Sequence, residues 1–166
     1  MKVLVFSDSH GNTKYMTKAI DFFDSIDTII HLGDYSDDIN KIKKQYPNKK
    51  FVQVAGNNDF TNIEDEKTIT INGYKVFLTH GHLYDAYWGI DKLFYKSKEI
   101  GVNVCLYGHT HTPLACFEDD VLILNPGSIS FPRGFSHKTA LTIDFEDDIQ
   151  YKFYIVNDNE ITHITN

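Results

Sequence analysis

The chain has 166 residues, a length suited to one compact domain, and at 42% hydrophobic and 23% charged it has the make-up of an ordinary globular protein. Its formal net charge of −7 disfavours a long basic groove of the kind that tracks a nucleic-acid backbone. The N-terminal apolar run is cut at Ser7-Asp8, too early for a signal peptide, and no apolar stretch is long enough for a membrane span, so a cytoplasmic protein is expected.

Residues 3–6 form a continuous apolar run, as in a strand buried on both faces. Residues 12–23 place Met16, Ala19, Ile20 and Phe23 at helical spacing. A second buried strand spans 28–32. Ser36 can cap a helix that carries Ile39 and Ile42 and stops before Pro47. A third strand spans 51–55. This β-α-β-α-β order implies a parallel sheet with right-handed crossovers.

The pattern then changes. Residues 68–71 and 75–79 flank Asn72-Gly73, a strong two-residue hairpin signal. A helix over 86–100 would carry Trp88, Leu93 and Phe94 inward and end at Gly101. Residues 102–107 read as another buried strand. Strands over 114–117, 121–124, 139–145 and 150–156 follow, with turns at Asp119-Asp120 and Asp147-Asp148. Cys105 and Cys116 read as small buried hydrophobes. They could share neighbouring strands, but a free state is expected in a cytosolic chain. The lysines at 41, 43, 44, 49 and 50 read as a solvated face.

Clusters of metal-type ligands stand where the strands stop. They are Asp8-Ser9-His10, Gly33-Asp34, Gly56-Asn57-Asn58-Asp59, His80-Gly81-His82 and Gly108-His109-Thr110-His111. On an extended chain, residues i and i+2 point the same way, so Asp8 with His10, and His109 with His111, could converge on an ion. In an open α/β sheet, ligands bind in the crevice outside the carboxyl ends of the strands. Each cluster alone is weak, because a Gly-Asp pair is usually a turn and a lone strand-end His is usually a satisfied polar residue. Together, without metal, they would crowd imidazole, carboxylate and carboxamide groups into one crevice at a desolvation cost.

In this order, Asp-x-His, Gly-Asp, Gly-Asn-x-Asp, His-Gly-His and Gly-His-Thr-His resemble the calcineurin-like metallophosphoesterases. The short chain and the Asn125-Pro126-Gly127-Ser128 segment resemble the small bacterial and archaeal phosphodiesterase branch. The motifs run from position 8 to about 128. The resemblance implies an α/β fold, a four-layer α/β/β/α sandwich with two mixed sheets, as a single domain over 1–166. It implies one divalent metal on Asp8, His10, Asp34 and His111, and a second on Asp34, Asn57, His80 and His109. Asp34 would bridge the two and hold a metal-bridging hydroxide. Mixed N/O ligation suits Mn, Fe, Co, Ni or Zn better than Mg, and residue type does not choose among them; the resemblance makes Mn the expected ion, with Ni, Fe, Co or Zn open.

Two such ions about 3.5–4 Å apart lower the pKa of a shared water toward neutrality, and the hydroxide would attack phosphorus in line. Two divalent cations, two carboxylates and one hydroxide leave about one positive charge, a match to a monoanionic diester. A small-molecule phosphodiester is therefore the expected substrate, with no membrane partner and a homo-oligomer left open.

The chain departs from the wider family at Asn58, where many relatives carry a His that serves the leaving oxygen. An amide cannot act as a general acid. In the small-phosphodiesterase branch this position is commonly not His. His82 is the nearest alternative acid and reads equally as a hydrogen-bonding neighbour of the ligands. Asp38 stands where the protein phosphatases have a phosphate-gripping arginine, and Arg133 is the only arginine in the chain. This disfavours a phosphoprotein phosphatase and, with Asn58, a phosphomonoesterase. His31 reads as a residue buried beside the site, and His137 and His163 as surface residues. Tyr84, Tyr87, Trp88 and Phe131 could line a cleft, with Trp88 better placed in the core. A scaffold without activity, as in the retromer subunit of this family, is the alternative from another class.

Overall fold

Alternation along the first strand sets the layers of the molecule. In β1 (Lys2–Phe6), Val3 and Val5 face one side and Leu4 and Phe6 the other, and all four are fully buried. In the computed structural model, which describes residues 1–134 and 136–164, β1 pairs in parallel with β2 (Thr28–His31), and β2 with β3 (Lys50–Gln53). The other edge of β1 pairs antiparallel with β9 (Thr139–Phe145), followed by β10 (Ile149–Val156) and β11 (Ile161–His163). The six-stranded order is β11-β10-β9-β1-β2-β3.

The second sheet contains β4 (Glu66–Ile71), β5 (Tyr74–Thr79), β6 (Val104–Leu106), β7 (Pro113–Glu118) and β8 (Val121–Pro126), in the order β4-β5-β6-β8-β7. Its centre is parallel and its two edges antiparallel. Asn72 and Gly73, at φ +46° and +87°, make the hairpin turn expected of that pair.

Val3, Val5, Ile30 and Leu32 from one sheet pack on Val76, Leu78, Leu106 and Leu124 from the other. Each fully buried side chain of this kind contributes roughly 1.5–3 kcal/mol relative to exposure. Leu4, Phe6 and Ile29 pack outward on Met16, Ala19 and Ile20 of α1 (Lys14–Phe22) and on Ile39 and Ile42 of α2 (Asp38–Ile42). Phe77, Cys105 and Ile123 pack outward beneath Leu93 of α3 (Asp91–Ile100). The result is the expected four-layer α/β/β/α arrangement with two mixed sheets. Among the described residues, no helix is long and apolar enough to cross a membrane.

Several local expectations are corrected. The helix proposed over 86–100 starts only at Asp91, because Gly89 sits at φ +150°, outside helical space. Trp88 therefore lies on a turn and is 91% exposed rather than in the core. Ser36 does not cap α2. Asp37 occupies that position, and the Ser36 hydroxyl is buried without a hydrogen-bond partner. Cys116 is half-buried rather than buried. It is not on a strand next to Cys105, because both register on Ile123 of the intervening β8. Both thiols are free, as expected.

Candidate metal centre

Most of the candidate ligands sit on loops in a backbone conformation that side chains disfavour. Among the described residues, ten non-glycine residues have positive φ, and five of these are Asp8, His10, Asp34, His109 and His111. Left-handed backbone of this kind costs roughly 1–2 kcal/mol per residue and gathers at functional sites. The strand alternation expected to align Asp8 with His10 is therefore replaced by sharp turns that serve the same convergence.

Those turns are pinned from several sides. The Asp8 N–H donates to the Gly33 carbonyl at 3.0 Å, and the Ser128 hydroxyl donates to the Asp8 carbonyl at 2.8 Å. The His109 N–H donates to Asp8 Oδ2 at 3.2 Å. Asn125 Nδ2 donates to the Gly108 carbonyl at 2.7 Å and to Thr110 Oγ1 at 3.1 Å. The Asn-Pro-Gly-Ser segment thus ties the His109–His111 loop to the Asp8 loop. Gly56 and Gly108 pass so close to the Asp34 carboxylate and the Ser7 hydroxyl, respectively, that a Cβ on either would collide.

Asp8, His10, Asp34 and His111 offer ligand atoms that all lie within 4.8 Å of one another. His111 Nε2 is 3.1 Å from Asp8 Oδ1, and His10 Nε2 is 3.3 Å from His111 Nε2 and 3.7 Å from Asp34 Oδ2. On the other side of Asp34, His80 Nε2 lies 3.3 Å from Asp34 Oδ1 and 3.9 Å from Asp8 Oδ1. The His109 ring stands 5.0 Å from the His80 ring. Asp34 thus contacts both groups of histidines.

Asn57 is exposed, and it is Asn58 that reaches Asp34. The Asn58 N–H donates to Oδ1 at 2.9 Å and its Nδ2 to Oδ2 at 2.6 Å. His82 is half-buried, 5.5 Å ring to ring from His80, with Nδ1 buried and unpartnered. Burial, with His80 alongside, lowers its pKa.

The tautomers are fixed from behind. His80 Nδ1–H donates to the Leu32 carbonyl at 2.6 Å, and His111 Nδ1–H to the Phe131 carbonyl at 2.5 Å. Both rings therefore turn the Nε2 lone pair toward the carboxylates, as metal ligands do. A lone pair facing a carboxylate is repulsive unless a cation or a proton lies between them. His80 Nε2 and Asp8 Oδ1 are buried with no hydrogen-bond partner. These orphaned atoms and the mixed N/O donor set fit divalent metal ions.

Proton affinities follow the same crowding. Burial, helped by the neighbouring His80, pushes His109 down to about 4. Burial likewise lowers His10. His111 is raised, because its contact with Asp8 outweighs its burial. Asp8 is lowered, since burial is outweighed by His111 and His80.

Two supporting carboxylates are buried or part-buried in ways that only the fold reveals. Asp38 Oδ2 accepts from the Ser9 hydroxyl and from the Gly11 N–H, each at 2.8 Å. Asp59 accepts from the Gly56 N–H and the Ser36 N–H, also each at 2.8 Å, and so joins the second and third loops. His31 lies behind Ser9, with Nε2 3.0 Å from its hydroxyl. His137 and His163 are exposed. A cavity of about 610 Å³ between the β3 and β4 edges is lined by none of the candidate ligands.

Residues 1–148 match the Calcineurin-like phosphoesterase superfamily domain. The chain is 31% identical over 170 residues to the probable metallophosphoesterase YsnB of Bacillus subtilis, covering 100% of this chain and 98% of that one. It is 30% identical over 144 residues to a phosphodiesterase of Methanocaldococcus jannaschii, covering 76% and 83%. A crystal structure of a predicted phosphoesterase from Streptococcus pneumoniae superposes with a TM-score of 0.80 at 29% identity, covering 99% and 97%.

Proposed function

The chain belongs to the calcineurin-like phosphoesterase superfamily, with relatives named as a probable metallophosphoesterase and a phosphodiesterase, and from that premise we propose a binuclear phosphodiesterase acting on a small phosphodiester. The observation that carries the proposal is the buried pair Asp8 and Asp34, faced by imidazole lone pairs whose Nδ1–H groups are already committed to carbonyls. Asp8, His10, Asp34 and His111 would hold one ion, and Asp34, Asn57, His80 and His109 the other, with Mn as the best candidate. When bound, such a pair supplies a nucleophilic hydroxide at neutral pH and Lewis-acid stabilisation of the phosphoryl oxygens.

The protein's own groups do the positioning. Asp34 stands between the two groups of histidines, and Asn58 fixes its orientation by donating to both of its oxygens. Asn58 cannot protonate a leaving group, and burial lowers the pKa of His82, the nearest alternative. The site is thereby biased toward esters with good leaving groups. The loaded site would carry only about one net positive charge, which a monoanionic diester neutralises and a dianionic monoester exceeds, and a single arginine is available to offset the excess.

The test compares hydrolysis of bis(p-nitrophenyl) phosphate with that of the mono-ester in Mn²⁺, for the natural protein and for Asp34→Asn. The diester is the preferred substrate, and Asp34→Asn loses more than about 100-fold, since even partners behind a ligand cost 10–100-fold. Preferred turnover of the mono-ester, or unchanged rates for Asp34→Asn, overturns the proposal.

A further inference from the structure

Arg133, the only arginine of the chain, is held at the edge of the metal centre. Its backbone N–H donates to the His111 carbonyl at 3.3 Å, and the Arg133 carbonyl accepts from the Thr112 hydroxyl at 2.7 Å. Its guanidinium Nη1 donates to the Tyr87 hydroxyl, and the Tyr87 ring stands edge-on to His109 at 4.6 Å. Its positive charge is felt at both His10 and His111. A guanidinium carries five N–H donors in a fork that matches a phosphate, and only one is directed at Tyr87 here.

Two aromatic rings stand nearby. Tyr35 lies 5.3 Å from the His10 ring and Phe131 6.2 Å from it, so His10 is in contact with both. They are 44% and 63% exposed. Exposure alone carries no weight, because Phe60 and Phe117 are more exposed still. What distinguishes Tyr35 and Phe131 is their position beside a candidate ligand. Their backbones are also engaged, with the Phe131 carbonyl fixing His111 and the Tyr35 carbonyl accepting from Asp38. Each ring offers an apolar face that a ligand ring can cover.

We propose that Arg133 grips the phosphodiester anion and that Tyr35 and Phe131 stack on a planar ring in one ester arm. This rests on the diesterase reading and makes the substrate class more specific: diesters bearing an aryl or nucleobase-like group. The hydrogen bond to Tyr87 holds the guanidinium ready, so less of its freedom is lost on binding. Arg133 is a specificity-determining residue that donates hydrogen bonds and transfers no proton.

The test is calorimetric binding of two monoanions that contain only phosphorus–carbon bonds and so cannot be hydrolysed, methyl(phenyl)phosphinate and dimethylphosphinate, to the Mn²⁺-supplemented protein. The phenyl compound binds about ten-fold tighter than the methyl one, the scale of a single ring stacked on an aromatic side chain. Arg133→Gln weakens both compounds by roughly ten-fold and leaves their ratio intact, as loss of a charge-assisted contact should. The pair Tyr35→Ala and Phe131→Ala brings the ratio close to one, while the Phe131 carbonyl keeps its bond to His111. Tyr87→Phe weakens both compounds, and the thermal midpoints of all variants serve as the control for folding. Equal binding of the two compounds by the natural protein, or unchanged binding by Arg133→Gln, overturns the proposal. Because no turnover is read, binding as described without hydrolysis of any diester would sustain the clamp and defeat the diesterase reading.

Discussion

The Ser9 hydroxyl donates to Oδ2 of Asp38 at 2.8 Å, across a gap of 29 residues. Its oxygen also receives His31 Nε2–H at 3.0 Å, because His31 Nδ1 is occupied as the acceptor of the Gly33 N–H. The chain His31 to Ser9 to Asp38 therefore runs in one direction. It fixes the loop between Asp8 and His10 from beneath. Ser9→Ala leaves a buried imidazole N–H and one carboxylate contact unsatisfied, which costs about 1–3 kcal/mol. Urea denaturation measures this, and Mn²⁺ affinity by calorimetry should fall roughly 10–100-fold, as for other groups that orient ligands. Natural stability in Ser9→Ala would show that the relay carries no load.

His31 gives the metal-free protein a pH dependence of known sign. Burial pushes its pKa down from 6.5 to about 4. The unfolded chain then binds a proton that the folded chain refuses between those two values, so stability rises with pH across that window. The contribution is complete above about 6.5, is lost as pH falls toward 4, and amounts to roughly 3 kcal/mol in all. His109 acts in the same sense, and the raised His111 opposes it. Denaturation of natural protein and His31→Gln from pH 4 to 7 isolates the His31 share. The variant's slope is shallower by about one proton. Parallel curves would refute the assignment.

Gly56→Ala tests the close approach of two loops. Its Cβ would meet Oδ1 and the backbone N of Asp34 and come within 3.0 Å of the His80 ring. Neither neighbour is the free end of a flexible chain. The carboxylate must turn away from its hydrogen bonds with Asn58, so the variant loses metal affinity by roughly 10–100-fold and about 1–3 kcal/mol of stability. Calorimetry with Mn²⁺ reads the first and a urea titration the second. Unchanged affinity would mean that the gap between these loops can widen freely.

Local sequence carried the features that local physics determines. The continuous apolar runs at 3–6 and 28–32 became strands because both of their faces are covered. Asn72-Gly73 became a tight turn because both residues tolerate positive φ. The cluster of Asp8, His10, Asp34 and His111 was legible because those residue types sit where strands end. Asp38 and Asp59 were not legible as supports, since a carboxylate at a helix start or in a loop resembles any capping or turn residue until distant donors arrive to bury it. Trp88 was misplaced because its apolar spacing continued a helix that Gly89 forbids. The strand β11 was missed because a three-residue segment carries too little pattern to be recognised alone.

The candidate ligands divide between two sheets: Asp8, His10 and Asp34 follow β1 and β2, while His80, His109 and His111 follow β5 and β6. Neither sheet owns a complete coordination sphere. A cation seated among them would act as a rivet through the seam. Its affinity would then gauge how well two independently hydrogen-bonded slabs are docked. A cavity opened at Ile143, in the core between the two sheets, would register as weakened chemistry before it registered as unfolding.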